Sequence, residues 1–170
     1  MGDYLNRNYV SAFQRVATFQ VNGRLKLGGN VASYFCTPDG LVLHCIAGPT
    51  DPRTFLREAS WANDTYQHAL LDNQKTESEL RAYFRKVHLE RLRDEQRVNV
   101  PADRLPKEGA IAPDALGQVL NQNRHLGLAN EGKVHLLLAV APLPRMDQVY
   151  RVVFENILNE QVTNRPVVGR

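Results

Sequence analysis

The chain has 170 residues, 43% of them hydrophobic, which is enough to build the core of one domain and excludes global disorder. Its formal charge is +3, from 21 basic and 18 acidic residues, and the two signs are interleaved instead of collecting on one face as in most nucleic-acid-binding proteins. The longest apolar run, residues 134–142, is much shorter than the roughly 20 residues of a membrane helix. Because the N-terminus has no signal-peptide pattern, we expect a cytoplasmic chain without membrane contacts.

The N-terminal part of the chain predicts three strands. Residues 9–21 are rich in β-branched and aromatic side chains, which favour a strand. Residues 22–30 then contain a turn signal and a glycine-containing loop. Residues 31–37 and 41–47 predict two further strands. The turn between them, Pro38-Asp39-Gly40, has the chemistry of a type I turn followed by a bulge glycine.

The rest of the chain predicts helices, two of which have recognisable first turns. Pro52 suits the first turn of a helix that Thr50 or Asp51 can cap. Residues 76–79 form a capping-box signature before a second helix, which we expect to end near Asp94. Four further segments are a linker over 98–113, helices over 114–128 and 146–161, and a strand or helical turn over 134–141.

The hairpin and the helix after it resemble the distal part of a thioredoxin-like domain. Such domains end in a strand, a short turn with a PDG-like sequence, a strand, a glycine and a helix. The resemblance covers about residues 4–72. It implies an α/β fold in which residues 1–72 form a partial thioredoxin-like sheet of about three strands. Residues 73–170 then form a long α-helical extension that packs on this sheet.

Two departures from the family argue against its redox chemistry. The chain contains no Cys-x-x-Cys motif, and Val31 stands where thioredoxins carry their cis-proline. The family's first strands and its active-site helix would lie before residue 1, so the sheet would keep an open edge and an uncovered face. The resemblance therefore implies an interaction surface near Asn30 and Val31, covered by a protein partner or by a second copy in a homodimer.

The two cysteines, Cys36 and Cys45, are a low-probability redox pair. With a three-residue loop, Cys36 lies opposite Val42 and Cys45 lies opposite Ser33, so the two thiols point to opposite faces of the hairpin. A two-residue loop would put them on one face but diagonal, at about 7–8 Å, which is still too far for a disulfide. We expect two buried thiols that behave as small hydrophobic side chains.

The histidines predict neither a catalytic pair nor a metal site. His44 adjoins Cys45, but neighbours on a strand point to opposite faces, and we expect His44 at the surface or partly buried. Trp61 lies on the core side of its helix by spacing, as a core anchor. The other histidines are scattered and make no helical pair with metal-ligand spacing: His68, His88, His125 and His135. We therefore expect no metal and no cofactor.

The sequence favours a binding protein over an enzyme. We expect a non-catalytic thioredoxin-like protein that acts as a protein-interaction or self-association module, with no catalytic residues. The alternative is a relative of thiol-disulfide oxidoreductases whose redox motif comes from a missing N-terminal segment or from a partner. A basic adaptor for nucleic acid, resting on the arginine-rich residues 81–97, is a weaker third hypothesis, because acidic residues are interspersed there.

Overall fold

The helices and strands follow from a computed structural model that describes residues 1–14, 19–22, 25–28, 30–71, 76–101, 105 and 113–162. These residues form a mixed α/β protein. Its strands are β1 (Phe19–Asn22), β2 (Leu25–Gly28), β3 (Ala32–Cys36) and β4 (Val42–Ala47). Its helices are α1 (Gly2–Asn8), α2 (Pro52–Leu70), α3 (Glu77–Gln96), α4 (Pro113–Gln122), α5 (Asn130–Val140) and α6 (Met146–Val152), the last continued by a π-helical turn over Val153–Ile157.

The strands form two separate antiparallel pairs within the described residues. β1 pairs with β2, and β3 pairs with β4. The described part of the chain therefore does not confirm a single thioredoxin-like sheet of about three strands. Residues 9–14 carry no strand, and β2 lies where a loop was predicted. The predicted boundary between residues 72 and 73 lies outside the described residues.

The turn between β3 and β4 is the one that its sequence predicts. The Gly40 amide donates to the Thr37 carbonyl at 3.0 Å, and the Thr37 amide donates to the Leu41 carbonyl at 2.9 Å. Gly40 has a φ of +84°, in the left-handed region that favours glycine. This turn holds the hairpin from which His44 projects.

A β-bulge shifts the register of this hairpin by one residue. Cys36 lies opposite Val42, as expected, but the register then shifts, so that Tyr34 lies opposite Cys45. The prediction that Cys45 faces Ser33, on the other side from Cys36, is therefore wrong. Because one inserted residue reverses the side-chain alternation, both thiols pack against the same apolar cluster.

The first turns of α2 and α3 confirm the capping predictions. The Asp51 carboxylate accepts from the amides of Arg53 and Thr54 at 2.9 and 3.1 Å. At the start of α3, the Thr76 amide donates to the Glu79 carboxylate at 2.8 Å and the Glu79 amide donates to the Thr76 hydroxyl at 3.3 Å. These caps satisfy amides that have no partner within the helix.

The ambiguous segment 134–141 is helical. It lies within α5, whose residues from Val134 to Val140 are all buried. A helix that is buried on every side has no polar stripe, which is why its periodicity could not be recognised. α5 packs against both α3 and β4, and this contact brings the candidate site together.

Two predicted helices are shorter than expected. α4 ends at Gln122, where the prediction continued to residue 128, and α6 gives way to the π-helical turn after Val152. Among the residues described, no helix combines the length and the apolar character that crossing a membrane requires.

Candidate metal centre

Three histidines from distant parts of the chain meet in the core. His44 lies on β4, His88 on α3 and His135 on α5. Their exposed fractions are 1%, 1% and 0%, and one ring nitrogen from each lies within 4.8 Å of the other two. The prediction that His44 lies at the surface or partly buried is therefore wrong, and so is the expectation that the sequence-distant His88 and His135 do not converge with it. His68 and His125 are exposed.

His88 reaches the cluster because it occupies the buried stripe of α3. The buried residues of this helix are Phe84, His88 and Leu92, each four positions after the last. Residues at this spacing share one face of a helix. The spacing of His88 between Phe84 and Leu92 therefore indicated that it is buried. The prediction missed this because it counted only apolar residues as the buried stripe of the helix.

His135 and His44 also lie within apolar stretches. His135 follows Val134 in the buried part of α5. His44 lies between Leu43 and Cys45 on β4, and all three residues are buried. The bulge places His44 opposite Phe35, so its ring points away from the thiol of Cys45, as expected for strand neighbours.

The hydrogen bonds of His88 assign the protons of two rings. Nε2 of His88 lies 3.0 Å from the Leu43 carbonyl oxygen, which can only accept, so Nε2 carries the proton. A neutral ring then has a bare Nδ1. This atom lies 2.8 Å from Nδ1 of His135, which must therefore donate. His135 is left with a bare Nε2.

Glu58 fixes the third ring. Nε2 of His44 lies 3.1 Å from Oε2 of Glu58. Glu58 is only 2% exposed, and it also accepts from Arg91 at 2.6 and 3.2 Å and from Arg57 at 2.7 Å. Burial alone raises the pKa of this carboxyl, but the hydrogen bonds from His44, Arg91 and Arg57 outweigh it and hold the pKa well below its usual range. The carboxylate is ionised, so His44 donates through Nε2 and keeps a bare Nδ1.

Two buried ring nitrogens are left without partners. Nδ1 of His44 and Nε2 of His135 make no hydrogen bond within the part of the chain that the structure describes. A buried polar atom without a partner costs about 1–3 kcal/mol. Such atoms call for a physical explanation, of which a bound ion or an ordered water is the usual one. Both of these atoms are bare lone pairs, which is the form that coordinates a metal.

The three rings are neutral at physiological pH. Burial lowers the pKa of His44 and of His135, and it lowers the pKa of His88 to about 3, with the neighbouring His44 adding to the effect. Glu58 opposes this effect at His44 but does not reverse it. Neutral imidazole is the metal-binding form, so no proton has to leave the cluster for coordination.

The dimensions of the cluster fit one small cation. Tetrahedral ligands with metal–nitrogen bonds of about 2.0–2.1 Å stand about 3.3 Å apart. The Nδ1 atoms of His88 and His135 therefore need to separate by only a few tenths of an ångström from 2.8 Å. His135 can present Nδ1 by moving its proton to Nε2. Two of the rings are already oriented by hydrogen bonds from the nitrogen that would not bind the metal. Nε2 of His44 donates to Glu58, and Nε2 of His88 donates to the Leu43 carbonyl.

The only tryptophan of the chain forms one wall of the cluster. The ring centroid of Trp61 lies 5.1 Å from that of His44, 5.3 Å from that of His88 and 5.8 Å from that of His135. The Arg91 guanidinium also lies over this ring, 4.5 Å from its centroid and within cation–π range. The predicted core anchor thus adjoins all three imidazoles, and its fluorescence can report on the site.

The other site residues that the sequence indicated lie apart from this cluster. Cys36 and Cys45 are free thiols. Burial raises the pKa of Cys36 to about 11 and that of Cys45 further, so neither is poised to act as a thiolate. Asn30 is exposed, Val31 is 49% exposed, and the Asn30 amide donates to Glu160 at 2.8 Å.

Comparisons with protein-family models, with curated proteins and with solved structures found no match for this chain. They neither support nor refute the thioredoxin-like resemblance, which stays a prediction. His44, His88 and His135, the three-histidine cluster, are the chemically distinctive feature of the described core.

Proposed function

We propose that the protein binds a divalent transition-metal ion of the zinc class at the three-histidine cluster. The observation that carries the proposal is that one ring nitrogen from each of the three buried histidines lies within 4.8 Å of the other two, with the bare Nδ1 of His44 unpartnered among the described residues. Imidazole nitrogen is a ligand that zinc, copper and nickel share. Three imidazoles leave one position of a tetrahedron for a fourth ligand.

The burial of the cluster favours a structural ion over a catalytic one. No ring is more than 1% exposed, whereas a catalytic zinc keeps a position that substrate can reach. The ion would join β4, α3 and α5, and its binding free energy would become folding free energy. The proposal agrees with the expectation of a non-catalytic protein and goes against the expectation that it holds no metal.

Equilibrium titrations test the proposal. Calorimetry with Zn²⁺ and the fluorescence of Trp61 during titration with Co²⁺ should each give one bound ion per chain. In His44→Gln and His88→Gln, the glutamine amide can still donate to Glu58 or to the Leu43 carbonyl, but it has no second ring nitrogen. Loss of a group that only supports a ligand weakens metal binding about 10–100-fold, so loss of a ligand should weaken it at least as much.

The exposed histidines provide matched controls. His68→Gln and His125→Gln remove the same chemical group at exposed positions outside the three-histidine cluster, and they should leave Zn²⁺ affinity within about twofold of wild type. The proposal fails if the wild-type chain binds no ion. It also fails if His44→Gln and His88→Gln bind as tightly as the two controls.

Self-association or partner binding near Asn30 and Val31 is a second candidate function. The half-exposed Val31, immediately before β3, favours it. Sedimentation should show a wild-type dimer that dissociates in Val31→Lys but not in Leu71→Lys, a control at another exposed apolar side chain (81%). A wild-type monomer would contradict self-association. The thiol-oxidoreductase alternative gains no support from the raised thiol pKa values of Cys36 and Cys45.

A further inference from the structure

Two partly exposed carboxylates lie against His135. Glu95, near the end of α3, and Glu131, in the first turn of α5, are 35% and 38% exposed, while His135 is fully buried. One oxygen from each carboxylate and a ring nitrogen of His135 lie within 4.8 Å of one another. His135 therefore belongs both to this group and to the three-histidine cluster.

The unpartnered nitrogen of His135 makes this group more than an acidic pair. Nδ1 of His135 is engaged with His88, which leaves Nε2 bare, buried and without a hydrogen-bond partner among the described residues. Together with the oxygens of Glu95 and Glu131, the ring offers the kind of nitrogen and oxygen ligands that divalent transition metals accept.

Neighbouring guanidinium groups keep a cation here from being held permanently. Nη2 of Arg91 lies 2.5 Å from Glu95 and 3.9 Å from Glu131, and Nη2 of Arg57 lies 3.6 Å from Glu131. These positive charges compete with a metal ion for the same carboxylate oxygens. The arrangement suits brief occupation on the way to a tighter site.

A buried ion site needs an entry path, and this group supplies the partly exposed end of one. Glu58 also touches the cluster, but it is 2% exposed and committed to His44 and the two arginines. Glu95 and Glu131 instead reach solvent on one side and a cluster histidine on the other.

Resting on the proposed function, we infer that Glu95, Glu131 and His135 form the loading site through which a divalent cation enters the three-histidine cluster. The carboxylates attract the hydrated cation and replace part of its water shell. The cation then exchanges oxygen ligands for the imidazole nitrogens inside, with no change in oxidation state. His135 belongs to both ligand sets: its bare Nε2 serves the loading site, and Nδ1 serves the cluster once the ring proton has moved from Nδ1 to Nε2.

Stopped-flow measurement of Trp61 quenching by Co²⁺ tests this route. Carboxylates that focus a field raise association rates by about tenfold or more, so the double variant Glu95→Gln/Glu131→Gln should load about tenfold more slowly. Release should slow in proportion, because a port serves both directions, and the dissociation constant should stay within about threefold of wild type. Glu155→Gln is the control, since Glu155 is equally exposed at 38% and pairs with Arg151 four residues before it.

A second variant that should load faster than wild type keeps the inference testable even if the double variant misfolds. Arg57 is 60% exposed, and Arg57→Gln removes a competing cation, so it should speed loading about two- to threefold. Loading rates that match wild type in both variants would overturn the inference. A weaker affinity with an unchanged loading rate would also overturn it, because the carboxylates would then be permanent ligands. Failure of the wild-type chain to bind Co²⁺ at all would instead refute the proposed function itself.

Discussion

His44 and Cys45 are neighbours on β4 and are both buried, yet they face opposite kinds of surroundings. Cys45 packs into an apolar cluster with residues of α4, α5 and α6, and burial raises the pKa of its thiol. His44 faces Glu58, Trp61 and two further imidazoles. β4 thus separates an apolar region, which Cys45 faces, from a region of hydrogen-bonded polar side chains, which His44 faces.

The hydrogen-bonded polar side chains Glu58, Arg91 and the three histidines thus lie together on the His44 side of β4. On the thiol side, Cys45 packs among apolar side chains, with the Tyr34 hydroxyl beside it, and a buried Cys behaves as a small hydrophobic side chain. On the histidine side, Glu58 and Arg91 neutralise each other's charge and orient His44. Within the described residues, the polar groups of this side are paired except for Nδ1 of His44 and Nε2 of His135, and these two atoms are the ones left for a ligand.

The largest expected effect is the loss of Glu58. Glu58→Ala leaves Arg91, which is 12% exposed, without its bidentate partner, and breaking a buried pair costs about 3–5 kcal/mol. Urea denaturation should show this loss in the free energy of unfolding. Glu77→Ala removes an exposed partner of Arg81 and should cost under about 1 kcal/mol. Equal costs for the two variants would mean that the polar side is not an interdependent network.

The next effect is stabilisation by metal. At a Zn²⁺ concentration of about 100 times the dissociation constant, the folded state should gain about 2.7 kcal/mol. Thermal melts with and without Zn²⁺ should show this gain for wild type and lose it for His88→Gln. Equal stabilisation of both proteins would place the ion somewhere other than the three-histidine cluster.

A smaller effect belongs to the thiol side. Cys45→Ser puts a hydroxyl into apolar surroundings and should cost about 1–3 kcal/mol, whereas Cys36→Ser should cost less because Cys36 is only partly buried. Denaturation of the two variants measures these costs. Zn²⁺ affinity should stay unchanged in both, and a large loss of affinity would show that the thiols take part in the site.

The smallest expected effect concerns the exposed histidines. His68→Gln and His125→Gln should each change the free energy of unfolding by under about 0.5 kcal/mol, because both side chains are exposed. If either substitution matched the cost of His135→Gln, burial would not be what separates the cluster from the remaining histidines.

Local features of the fold were predictable because a few adjacent residues determine them. Asp51 with Pro52, Thr76 with Glu79, and the turn glycine Gly40 each act within four or five residues, and the structure confirms all three. The sheet was not predictable in the same way. The bulge near Cys36 shifts the register by one residue, and a one-residue shift reverses the face of every side chain beyond it.

The candidate site was missed because it depends on long-range packing. His44, His88 and His135 lie on three elements, and only the contacts of α5 with α3 and β4 bring them together. Glu58 carried a readable signal, since it shares the buried face of α2 with Ala62, Thr65 and Ala69. A charged residue on such a face predicts a buried partner, although the sequence does not say which one.

Anomalous X-ray diffraction from crystals of the full chain grown with Zn²⁺, recorded at the zinc absorption edge, tests the central claim most directly. The account predicts one strong peak about 2.0–2.1 Å from the Nδ1 atoms of His44 and His88 and from a ring nitrogen of His135. A map with no peak between these three rings, or with zinc bound only at surface histidines such as His68 and His125, would contradict it.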